Sequence, residues 1–266
     1  MKKRIALLLA LTLLSSLFGC DNVSKQETES DNIVSTVEAE NKTEAKPADA
    51  PEQTVEEETE TVQSIDKSLL ESAGVGSYIT FGKYEQDNDL NNGPEDIEWL
   101  VLAKENNKML VISRYGLECH EYNTTENITW ENCSLRSWLN QTFYDTSFNS
   151  GEKSAILLST VTADPNPSCE TPAGNDSMDN IFLLSIVEAQ QYFADDDARI
   201  CQATAYVASK TDNLLDGNCW WWLRSPGYES TCAAGVIGWG GIATNGSRVW
   251  SKTAVVRPAM WLSLEP

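Results

Sequence analysis

Apolar and polar positions alternate over residues 76–82 (Ile79 and Phe81 against Ser77 and Thr80), the period of a half-exposed strand. Two further apolar runs, residues 97–103 and 108–113, are separated by Glu105-Asn106-Asn107, which predicts a hairpin. The period then lengthens. Leu135, Trp138, Leu139, Thr142 and Phe143 recur at helical spacing, giving a helix over 134–144, and a second is expected over 151–158. Ser185 followed by Glu188 is a capping-box pattern and starts a helix over 186–193, with a fourth expected near 197–210. Next comes Cys219-Trp220-Trp221-Trp222-Leu223-Arg224-Ser225-Pro226-Gly227, which opens on five apolar residues. Ser-Pro-Gly stops it too soon for a helix, and three indoles need cover, so it predicts a central strand buried on both faces. Trp221 is expected to point one way, and Trp220 and Trp222 the other. Runs at 233–239 and 241–249 join through Gly240, and 254–264 forms a closing strand expected to partner the tryptophan strand. Strands, then helices, then strands predict an α+β domain with a mainly antiparallel sheet and flanking helices.

The first twenty residues follow a different logic. Lys2, Lys3 and Arg4 precede an apolar run from Ile5 to Leu14, and Leu17-Phe18-Gly19-Cys20 ends on a small residue before cysteine. The run is shorter than the ~20 residues a spanning helix needs, and the segment resembles a bacterial lipoprotein signal. That resemblance implies cleavage before Cys20 and lipidation of that cysteine. The protein is therefore expected at the cell membrane, anchored by lipid on the extracytoplasmic face; an ordinary cleaved export signal is the alternative.

Residues 21–74 contain no aromatic residue and carry 15 acidic against 4 basic side chains. Such a segment buries too little apolar surface to offset its ordering entropy and reads as a disordered acidic linker, with a short helix expected near its 64–71 end. All nine tryptophans fall between Trp99 and Trp261, so one domain is expected over 75–266. Its 12 basic and 25 acidic side chains argue against nucleic acid or an anionic lipid surface as partner. Membrane contact is expected only through Cys20. The six cysteines beyond Cys20 are an even number in an exported domain, where disulfides persist. The expected pairing is Cys119–Cys133, Cys201–Cys219 and Cys169–Cys232; free buried thiols are the alternative.

Candidate chemistry is sparse. Asp87, Asp89 and Asn91 offer oxygen atoms at alternate positions, as a calcium loop does, but glycine comes one place late for an EF-hand, and a polar turn explains the same residues. No other cofactor is expected. His120, the only histidine, is next to Cys119, yet adjacent residues of an extended segment face opposite ways, so no catalytic residue is assigned. Asp195, Asp196 and Asp197 read as a solvated helix start. Arg224 and Arg257 are expected to pair with Glu98 or Asp96. What remains are C-terminal loops in which aromatics sit among small polar residues: Tyr228, Glu229, Trp239, Asn245, Arg248 and Trp250. Flat rings beside amides and hydroxyls suit a sugar face or a peptide surface; a glycine-rich hairpin whose rings cover a sheet edge is the alternative.

Five blocks stand in one order: Gly76-x-Tyr78-Ile79-x-Phe81-Gly82-x-Tyr84-Glu85-Gln86-Asp87, Ile97-Glu98-Trp99-x-Val101-Leu102, Ser134-Leu135-Arg136-x-Trp138-Leu139-Asn140, Trp221-Trp222-Leu223-Arg224-Ser225-Pro226-Gly227 and Val256-Arg257-Pro258-Ala259. Together they resemble an uncharacterised domain-of-unknown-function family of exported Gram-positive bacterial proteins. The C-terminal half is more distantly similar to C-type lectin-like folds, a superfamily that includes formylglycine-generating enzymes. That likeness implies a mainly antiparallel sheet with a long loop region. The Glu-Pro-Asn, Gln-Pro-Asp and Trp-Asn-Asp motifs of calcium-dependent lectins are missing from this chain. The function expected is a lipid-anchored extracellular binding module that takes a glycan, wall polymer or surface protein on its aromatic loops. The alternatives are a structural or assembly lipoprotein without a small ligand, and an extracytoplasmic enzyme related to the formylglycine-generating folds.

Overall fold

The computed structural model describes residues 67–265. The signal, the lipidated Cys20 and residues 21–66 of the expected linker lie outside the described residues. Helix α1 (Lys67–Ser72) falls within the stretch assigned to the linker, yet Leu70 is buried against the core and Lys104 donates to the carbonyls of Glu71 and Ala73 at the helix end. The ordered part therefore begins before Val75.

Strands β1 (Tyr78–Tyr84), β2 (Glu95–Glu105) and β3 (Lys108–Ser113) form an antiparallel meander, with the β2–β3 turn made by Asn106 at φ 51° and Asn107. A short strand β4 (Glu118–Cys119) follows. Helix α2 (Ser134–Trp138) runs through a π-helical turn (Leu139–Phe143) into α3 (Tyr144–Ser147), so the expected helix is one element three residues longer than its pattern. Helix α4 (Ser150–Ala155) has an Asn149/Glu152 capping box. The short hairpin β5 (Ser159–Val161) and β6 (Ser177–Asp179) precedes α5 (Ile186–Tyr192), where Ser185 and Glu188 form the capping box read from the sequence.

The fourth helix is two. α6 (Asp196–Arg199) and α7 (Ala205–Lys210) are separated by an extended link, because Gln202 bridges Asn218 and Ala203 bridges Gly116. β7 (Leu214–Leu215) and β8 (Asn218–Cys219) turn the chain into β9 (Trp221–Pro226), every residue of which is buried. β10 (Cys232–Val236) and β11 (Ile242–Arg248) make the next hairpin. The closing segment is likewise two strands. β12 (Val255–Val256) lies parallel to β9, whereas after Arg257-Pro258 the strand β13 (Ala259–Ser263) crosses to pair with β3. Proline has no N–H to give a ladder, so the switch of sheets falls where a ladder bond is lost anyway.

The result is a four-stranded sheet, β1-β2-β3-β13, and a five-stranded sheet, β11-β10-β9-β12-β4, in a mixed α+β fold whose pairing is mainly antiparallel. Trp99, Trp221 and Trp222 are fully buried in this fold. Burying an indole requires a partner for its N–H, and each has a carbonyl: Trp99 on Phe81 at 2.6 Å, Trp221 on Arg199 at 3.2 Å, Trp222 on His120 at 2.9 Å. Trp220 and Trp222 meet edge to face at 4.7 Å, and Trp221 turns the other way onto Phe193.

Two expectations are corrected. Arg224 pairs with Asp164 and Glu188, and Arg257 donates to the carbonyls of Ser113 and Arg199, while Glu98 and Asp96 hold Arg114 and Lys83. The acids nearest in sequence pattern were already committed to the edges of the meander. The expected disulfides are also not among the bonds of the described residues, since Cys119, Cys133, Cys169, Cys201, Cys219 and Cys232 all stand as free thiols. Cys133 caps α2 by accepting from Arg136 N, while Cys119 faces the carbonyl of Val207. Among the described residues, no helix is long and apolar enough to cross a membrane.

Candidate functional site

Four of the six C-terminal loop residues meet at one end of the β10–β11 hairpin. The register pairs Cys232 with Arg248, so the β9–β10 loop and the chain leaving β11 emerge side by side. Backbone bonds fix them: Tyr228 N donates to Asn245 O at 3.1 Å, Gly227 N to Cys232 O at 2.7 Å, and Val249 N to Thr231 O at 3.0 Å. Asn166, almost fully buried, ties both strands from beneath through the carbonyls of Pro226 and Thr244. Gly246 holds φ 74° against the backbone of Ala233, a close approach that a side chain would block.

On this base Arg248 pairs with Glu229, and both bond the Thr231 hydroxyl. The hydroxyl of Tyr228 also bonds Glu229. These three bonds, from Thr231, Tyr228 and Arg248, hold the Glu229 carboxyl below its ordinary range. The Arg248 guanidinium sits 5.7 Å from the Trp250 ring centre. Tyr228 and Trp250 remain 49% and 42% exposed, so their faces stay available on either side of the pair. Asn245 contributes its carbonyl and is itself exposed. Ser230 extends the polar surface by donating to Asn127.

Trp239 does not join them. It lies in the turn between Val236 and Ile242, at the far end of β11, roughly 20 Å away at ~3.3 Å per residue. Its ring folds over Gly241.

The acidic loop is also arranged differently from its reading. Asp87 accepts from Asp89 N and Asn92, and Asp89 accepts from the backbone and side chain of Asn91. The oxygens of Asp87 and Asp89 tie the turn instead of converging with Asn91. The carboxylates that do converge are Glu85, Asp87 and Glu95, of which sequence spacing gave no sign because Glu95 comes from β2. His120 stacks on Trp138 at 5.0 Å, and burial pushes the Cys119 thiol up to about 11.

Comparison with known proteins gives one match. The sequence profile of a domain-of-unknown-function family, DUF6273, fits residues 106–264. No curated protein and no solved structure matches the chain. The matched span starts in the β2–β3 turn and takes in both arginine-bearing blocks and the hairpin that carries Tyr228, Glu229, Arg248 and Trp250, leaving β1 and β2 outside it. With more than half of its 266 residues covered, this chain belongs to the DUF6273 family of domains of unknown function.

Proposed function

We propose that this protein is a lipid-anchored extracellular binding module, built on a C-type lectin-like fold, that takes a neutral glycan on the surface formed by Tyr228, Glu229, Arg248 and Trp250. The observation that carries it is the juxtaposition of two half-exposed aromatic rings around a charge-compensated Arg–Glu pair. Stacking faces and directional donors in one patch are what a sugar ring requires. Arg248 uses only Nη1 within the protein among the described residues, which leaves Nε and Nη2 to donate to ligand hydroxyls. Because Glu229 cancels its charge and the domain is acidic overall, a polyanion is disfavoured. In support of the lectin-like reading are the mainly antiparallel sheets, the tryptophan strand at the centre of the five-stranded one and the closing strand that returns beside the first hairpin. The lipid anchor rests on residues 1–20 alone.

A glycan array tests this, followed by titration of Trp250→Ala, Tyr228→Ala and Trp239→Ala. Binding to neutral saccharides should fall about 5- to 10-fold in the first two, the loss of one stacking contact of about 1–1.5 kcal/mol, and persist in the third. Absence of binding to every neutral saccharide, or indifference to Trp250→Ala, removes the proposal.

A further inference from the structure

The chain meets itself again where it returns from α7. Ala203 N donates to Gly217 O, Gln202 bridges Asn218 in antiparallel sense, and Cys219 N donates to Cys201 O at 2.7 Å. In this register Cys201 and Cys219 are directly opposite. Opposed residues of a hydrogen-bonded antiparallel pair have Cα atoms about 5.5 Å apart, within the ~4.4–6.8 Å a disulfide needs. The Cys201 thiol faces the carbonyls of Arg114 and Gln202 at 3.8 and 3.7 Å, and the two thiols influence each other's ionisation. Arg257, buried and stacked 5.0 Å from the Trp221 ring centre, acts on both sulfurs and pairs with no carboxylate among the described residues. A buried cation without a counter-ion is costly, and the Cys201 sulfur is an anion site within its field. Burial raises both thiols, but at Cys201 the bond from Cys219 and the charge of Arg257 outweigh it and the net shift is downward, while Cys219 is driven up.

We propose that Cys201 and Cys219 form a reversible dithiol–disulfide clip that fastens residues 202–218, including α7, to the edge of the tryptophan strand. The oxidant is a small disulfide or a disulfide-carrying oxidoreductase. The Cys201 thiolate attacks one sulfur of that disulfide and expels the other as a thiolate, which takes up a proton. Cys219 then gives its proton to solvent and attacks the Cys201 sulfur, expelling the second carrier thiol. Two protein thiols become one disulfide, and one carrier disulfide becomes two thiols. Both cysteines are buried, at 1% and 0% exposure, so exchange proceeds only when the 202–218 excursion lifts from the sheet. The clip therefore closes slowly and, once closed, is hard to reach with reductant. Nothing in it rests on the glycan reading.

The test equilibrates the reduced full chain with mixtures of reduced and oxidised glutathione, quenches in acid, alkylates under denaturing conditions and maps the peptides. The expected product is a 201–219 crosslink that dithiothreitol reverses, with Tm raised by about 5–10 °C. Cys119→Ser should keep the crosslink and Cys219→Ser should abolish it. Should a variant fail to fold, the wild-type peptide map still decides. Crosslinks that join Cys201 or Cys219 to other cysteines, or full alkylation of both at oxidising poise, would overturn the proposal.

Discussion

Arg224 and Arg248 stand two strands apart on the same five-stranded sheet, and each faces a glutamate, yet their surroundings differ in every other respect. The Arg224 side chain is 2% exposed, and all three of its nitrogens are used: Nε on Thr162 O, Nη1 on Leu183 O and Glu188, Nη2 on Asp164 and the Thr162 hydroxyl. The Arg248 side chain is 47% exposed and commits one nitrogen. A saturated buried guanidinium is an organising centre for the α5, β5 and β9 junction and has no donor left for a ligand. An exposed one beside two half-exposed rings has donors left over, as the proposed recognition role needs. Residue type and partner are the same; burial and hydrogen-bond occupancy decide which role the pair takes.

The comparison can be broken most forcefully at its buried side. Arg224→Met strands Asp164 and Glu188 without their cation and should destabilise the fold by about 3–5 kcal/mol in urea unfolding; a loss below ~1 kcal/mol would show that the cluster organises nothing. Next in size is Gly246→Ala, at φ 74° and against the Ala233 backbone. It should cost about 1–3 kcal/mol and weaken ligand binding together with stability, because the strained backbone positions the exposed pair. Alkaline pH comes third. Burial pushes Cys133 up to about 12 and Cys119 up to about 11 from an ordinary 9.0. Both therefore ionise first in the unfolded chain, so their stabilisation is complete below about pH 9 and is lost as pH rises toward 12. Tm should fall across that window, and less steeply in Cys133→Ala. The smallest stability effect belongs to Arg248→Ala, because an exposed ion pair contributes little, while its effect on glycan titration should exceed that of any other polar change in the patch.

Much of the architecture was legible wherever neighbours in sequence are neighbours in space. The β1–β2–β3 meander follows from alternation and the Asn106-Asn107 turn, and α5 follows from its Ser185/Glu188 box. The tryptophan strand declared itself by bulk, since no other element could cover three indoles. Legibility failed where a distant contact overrode a local pattern. The 197–210 run looks helical throughout, but pairing of Gln202 with Asn218 and Ala203 with Gly116 holds its middle extended. The final apolar run reads as one strand, and only the two sheets waiting on either side of Arg257-Pro258 divide it. The same holds for the site. Tyr228, Glu229, Arg248 and Trp250 were identifiable by type, but the hairpin register that unites them and sends Trp239 to the opposite end is a tertiary fact. The carboxylate partners of Arg224 come from the chain after β5 (Asp164) and from α5 (Glu188), with no pattern linking them to β9.

The account's central claim is that ligand lands beside Arg248 and not elsewhere on the hairpin. It is tested most directly by following the indole N–H resonances of Trp250 and Trp239 during titration with a neutral saccharide identified on the array. The account predicts a saturable shift at Trp250 with Trp239 unmoved; a shift at Trp239 with Trp250 unmoved would contradict it.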